Sequence, residues 1–164
     1  MKIKSLLLAL LLVFLFSGCQ ARFDNYADEA EDCVRFQLAV ANSVSEFTDL
    51  YSFMQWFSSV TEMSEVALDG ESYRDMLEYN SPKDPFYAML LEYYDSVDVV
   101  LSKPKKAISG DAWTFMEINS DLHFTFSLIP AQNGDVYYKC VVDEEEFAEL
   151  VQANFMKRAI DLIK

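Results

Sequence analysis

One histidine and three cysteines supply the side chains of this 164-residue chain that could attack a substrate, shuttle a proton near neutral pH or hold a soft metal. The histidine, His123, stands in Leu122-His123-Phe124-Thr125-Phe126-Ser127, on the polar side of an alternating run. With a serine and an acid in reach it could serve as the general base of a hydrolase. The same setting suits a solvated strand residue, and that is the role expected of it. Cys19, Cys33 and Cys140 with one histidine cannot assemble the usual four-ligand zinc site without recruiting carboxylates. Gly18, Gly70, Gly110 and Gly134 lie in no nucleophile elbow, phosphate loop or dinucleotide fingerprint. Acids are abundant, but the clusters Glu29, Glu31, Asp32 and Glu144, Glu145, Glu146 are accounted for by helix starts. No catalytic residue, cofactor or metal site is expected, and the chemistry that remains is binding.

Aromatic residues carry that expectation. Phe86-Tyr87, Tyr93-Tyr94 and Tyr137-Tyr138 are adjacent pairs, and neighbours in a helix or strand point to different sides. One member of each pair therefore falls outside the main core. Tyrosine suits interfaces because it joins an apolar body to a hydroxyl. The candidate ligand or partner contacts are Phe47, Tyr51, Trp56, Tyr87, Tyr94 and Tyr137. Cys33 and Cys140 leave two readings open. They are either buried thiols or one bridge, whose loop of about a hundred residues the chain-entropy model values at about 4 kcal/mol.

The elements that position these residues follow from hydrophobic period. Apolar residues recur at three, four or seven positions from Tyr26 through Val40, Val44, Phe47, Tyr51 and Met54, with no Gly or Pro. This predicts one long helix from 26 to about 60, with a stripe wide enough to be packed on two sides. A short helix from Ser72 to Glu78 and a third from Pro85 to about Leu101 follow, the latter closed by Lys103-Pro104-Lys105-Lys106. The period then drops to two. Strands are predicted over about 112–118, 122–129 and 135–142, with Asn133-Gly134 as the second hairpin turn. Asp143 and Glu146 resemble a capping box that opens a final helix, with Phe147, Leu150, Val151, Phe155 and Leu162 inward. The fold class expected is α+β: a long N-terminal helix and two further helices, a three-stranded antiparallel meander and a C-terminal helix.

The first twenty residues are of another kind. Met1-Lys2-Ile3-Lys4 precedes an unbroken apolar run, Leu6 to Phe16, and small residues Ser17-Gly18 follow. That is the pattern of an export signal. Eleven helical residues rise only about 16 Å, short of the roughly 30 Å hydrocarbon core. Leu15-Phe16-Ser17-Gly18-Cys19 resembles the lipobox of bacterial lipoproteins. The resemblance implies a diacylglycerol on the Cys19 thiol, cleavage before Cys19, and acylation of the new amine. Gln20 after the cysteine implies outer-membrane sorting, facing the periplasm, if the source is Gram-negative. The plainer alternative is a secretory signal ending near a chance cysteine. The organisation expected is a signal at 1–18, a tether at 19–25 and a single α+β domain at 26–164.

Cleavage before Cys19 leaves 11 basic and 27 acidic residues, a net charge of −16 against −14 for the whole chain. Such a surface repels phosphate backbones and anionic head groups, which argues against nucleic acid and against a polybasic membrane contact. It would draw in a basic partner, or simply keep a tethered body soluble. The expected function is a membrane-anchored envelope lipoprotein that binds a protein partner without catalysis, as an immunity-type protein masking a basic toxin or as an envelope accessory. The alternative is an aromatic-lined groove for a small molecule or lipid, bordered by Phe47, Tyr51 and Trp56.

Overall fold

Helix α1, Ala27–Asn42, opens with Asp28 and Glu29 in its first turn, where the positive end of the helix dipole favours acids. Every residue from Phe36 to Ala41 is buried, so this part of α1 has no wet face. The computed structural model describes residues 22–64, 67–68, 72–106 and 110–164. The signal stretch, Cys19 and the Asp69-Gly70 turn lie outside the described residues.

The apolar period read as one helix runs through two. A 3-10 turn, Ser43–Glu46, follows α1, Phe47 is extended at φ −95° and ψ 143°, and α2 spans Leu50–Ser64. The break has a local cause. Ser43 Oγ donates to the Val40 carbonyl at 2.7 Å and Ser45 Oγ to the Asn42 carbonyl at 3.1 Å, hydroxyls competing for helix acceptors. Asp49 then restarts the chain by accepting from Ser52 N–H at 2.9 Å.

Helix α3, Tyr73–Asn80, is capped by Ser72, whose side chain accepts from Arg74 N–H. Helix α4, Pro85–Ser96, is capped by Asp84 and carries proline in its first turn. It ends five residues before the expected Leu101. From Val97 the chain is extended and lies along the sheet, with Val100 O accepting from Ile118 N–H and Met116 O from Ser102 N–H, both at 2.8 Å. Val97, Val99 and Val100 are β-branched, and that preference prevails over a spacing that also fits a helix. Lys105–Lys106 form the short strand β2 instead of closing a helix.

Three long strands form the meander: β3 Ala112–Glu117, β4 Leu122–Pro130 and β5 Val136–Val142. A two-residue strand β1, Ala67–Leu68, and β2 add an edge on each side, giving the order β1-β5-β4-β3-β2, all antiparallel. Trp113 pairs with Phe126, Phe115 with Phe124, and Phe126 with Cys140, and all five are buried on one face. Thr114, His123, Ile129 and Val141 on the other face are exposed. Gly134, at φ 94°, closes the β4–β5 hairpin through its N–H to Ala131 O, in a wider loop than a two-residue turn. Glu117 is fully buried, and its carboxylate accepts from Val100 N–H and from the backbone and hydroxyl of Ser120.

Helix α5, Glu144–Asp161, is capped by Asp143, which accepts from Glu145 and Glu146 N–H at 3.1 Å. Glu146 does not turn back to close a capping box. Its carboxylate reaches His123 on β4, at 2.7 Å from both the backbone nitrogen and Nδ1. Phe147 and Val151 are buried, Asn154 donates to Ala41 O and Asn42 Oδ1, and Arg158 donates to Phe47 O. Leu162 is 75% exposed, outside the inner face expected of it. No helix of the described residues is long and apolar enough to cross a membrane.

Candidate binding groove

The walls of a groove of about 730 Å³ come from four elements. Leu50, Met54 and Phe57 recur at helical spacing along α2 and face it. Cys140, Val141 and Val142 on β5 form its floor with Gln37 of α1. Phe147, Ala148 and Val151 of α5 close the far side, and Lys139, Glu144 and Gln152 add polar groups at its margins. The Phe57 and Phe147 rings stack at 5.3 Å and join the two helical walls. Leu50 and Met54 are 38% and 49% exposed, so apolar surface remains in water along the rim.

One wall is chemically quiet. A hydrogen bond that the Cys140 thiol donates to the neighbouring Cys33, and then burial, raise the Cys140 thiol well above its ordinary range. A thiol held protonated is a poor nucleophile. Cys33 and Cys140, both buried and unbridged, are therefore in direct contact, with the Tyr73 hydroxyl hydrogen-bonded to Cys33 and pushed up chiefly by burial. His123 lies on the exposed face of β4, tied to Glu146, away from the groove. Among the described residues, no group of three His, Cys, Asp or Glu side chains could hold a metal ion.

The six aromatic candidates do not form one surface. Phe47 is buried, its ring 5.4 Å from Phe53, 5.1 Å from Trp56 and 6.1 Å from Phe86, and Trp56 is half-buried in the same cluster. Tyr94 is buried and donates its hydroxyl to Asp32 at 2.7 Å; burial, and then that bond, push its pKa well up and keep the phenol neutral. Tyr51 is 71% exposed on α2, while Tyr87 on α4 and Tyr137 on β5 are half-buried on separate elements. The groove is lined by Leu50, Met54 and Phe57 rather than by Phe47, Tyr51 and Trp56. The signal for this wall was the stripe of Leu50, Met54 and Phe57. A second depression of about 630 Å³ lies on α4, where Glu46 and Glu92 flank Phe86, Met89 and Tyr93.

No family model, curated protein or solved structure matches the chain.

Proposed function

We propose that this chain is a bacterial envelope lipoprotein, anchored through an acylated Cys19, that binds the apolar part of a small amphiphile in the α2–β5–α5 groove without catalysis. The observation that carries the reading is the groove itself. Its volume of about 730 Å³ exceeds the roughly 300 Å³ at which small-molecule sites begin, and its walls are apolar with few polar groups at the margin. An acyl chain or comparable apolar group would cover the exposed parts of Leu50 and Met54, which supplies the driving force. The anchor rests on the Leu15-Phe16-Ser17-Gly18-Cys19 signal.

A second reading, capture of a basic protein, is favoured by the α4 face, where Phe86 is 45% exposed between Glu46 and Glu92. A titration with a fluorescent fatty acid separates the two. Saturable binding weakened about tenfold by Met54→Glu supports the groove, because a charge placed at its apolar rim would be costly to cover. Binding that does not saturate, or that Met54→Glu leaves unchanged, removes the small-amphiphile reading. Salt-sensitive binding of a basic protein, lost on Glu92→Lys, would favour the second.

A further inference from the structure

Among the described residues, the buried polar side chains outside the aromatics and thiols are those of Gln37, Ser43 and Glu117. A buried polar group is normally paired. Ser43 donates to Val40 O, and the Glu117 carboxylate accepts from Val100 N–H and from Ser120. Gln37 is the exception. It is only 8% exposed, yet its side-chain amide has no hydrogen-bond partner among the described residues. No side-chain nitrogen or oxygen of the described residues is both sealed from solvent and unpaired, so the exposure that Gln37 keeps is at its amide.

That amide opens on the α2–β5–α5 groove, which Gln37 lines. Its place there follows from α1. Cys33, which touches Cys140 on β5, lies one helical turn before Gln37, so both residues share the face of α1 turned to that strand. The other buried residues of the lining are Cys140, Phe147 and Val151. The charged ones stand at the margin. Glu144 is exposed, and Lys139 alternates with the buried Tyr138 and Cys140, so it stems from the opposite face of β5. The floor thus offers an unpaired amide with no cation beside it.

We propose that the amphiphile taken by this groove has a neutral amide head, which Gln37 holds at the floor while the tail lies along Leu50 and Met54. A carboxamide carries two donors and an acceptor. An apolar tail laid over Gln37 would strip its water and leave all of them unpaired, which lowers affinity. A carboxylate would accept from Gln37 but would be buried without a counter-charge, in a chain of net charge −14. An ester offers acceptors alone. An amide head donates to the Gln37 Oε1 and accepts from its Nε2, with no charge to desolvate. The inference rests on the small-amphiphile reading above and adds the class of its head group.

The test titrates residues 19–164, which retain every described residue, with octanamide, octanoate and methyl octanoate at neutral pH in a calorimeter. Octanamide should bind at least ~10-fold more tightly than either of the others. In Gln37→Met, which keeps the length of the side chain and removes its hydrogen bonds, that preference should fall below ~2-fold. The side-chain amide signal of Gln37 in nitrogen-edited NMR, identified by its loss in Gln37→Met, should shift with octanamide far more than with methyl octanoate. If Gln37→Met does not fold, the ranking of the three ligands on the unaltered protein decides. Equal affinities, or a preference for octanamide that survives Gln37→Met, would overturn the head-group assignment and leave the groove reading standing. Absence of saturable binding by all three would overturn both, and is a distinct result.

Discussion

Asp32 does more than begin a helix. Its carboxylate accepts from Tyr73 N–H at 2.7 Å, from the Ser72 hydroxyl at 3.3 Å and from the Tyr94 hydroxyl at 2.7 Å. One acid on α1 thereby holds the start of α3 and the end of α4. Hydrogen bonds to a charged group contribute about 1.5–3 kcal/mol, and truncation would strand partly buried donors. Asp32→Ala should lower the unfolding free energy by about 2–4 kcal/mol in urea titrations, and a loss below about 0.5 kcal/mol would contradict this role. The contact of Cys33 with Cys140 leads to a second expectation. Refolding with glutathione disulfide should close this pair by exchange, releasing two glutathione thiols, and raise stability by about 4 kcal/mol over the reduced form. Two alkylatable thiols after oxidative refolding would show that the pair stays open. Oxidant added to the folded protein should act far more slowly, because both sulfurs are buried and the Cys140 thiol is held protonated.

At the scale of elements, α2 depends on how it starts. The Ser52 N–H, then its hydroxyl, hold the Asp49 carboxyl below the ordinary aspartate value of 3.8. A depressed acid contributes above its unfolded value and loses that contribution as pH falls through its lower folded value. Protection factors of the amides in the first turn of α2, which divide out the pH dependence of intrinsic exchange, should therefore fall on acidification below 3.8, and Asp49→Ala should show that lower protection already at neutral pH. Unchanged exchange in Asp49→Ala would contradict the cap. The strands were legible because Trp113, Phe115, Leu122, Phe124 and Phe126 alternate with polar residues, a pattern with one geometric meaning. The break before α2 was not, because Val44, Phe47, Tyr51 and Met54 keep helical spacing across it. Val97 and Val100 were ambiguous for the opposite reason, since three-residue spacing also occurs in an extended edge. The sequence pointed to a groove bordered by Phe47, Tyr51 and Trp56, and its actual lining could not be read: it is made by neighbours that Leu50 and Met54 lack, and spacing along a chain does not report missing neighbours.

At the scale of the whole molecule, Phe23 packs on Trp113 at one place and the groove lies at another, bounded by α2, which begins past the far end of α1. The sequence carried the anchor motif and the acidic balance, but where the folded body begins needed the position of Phe23, a lone aromatic in a polar stretch that reads as linker until it is seen packed on Trp113. The proposal of a binding groove is tested most directly by methyl NMR of the folded body titrated with a medium-chain fatty acid. The account predicts saturable shifts confined to the methyl groups of Leu50, Met54, Ala148 and Val151. Shifts that are absent, or scattered over methyls outside the groove, would contradict it.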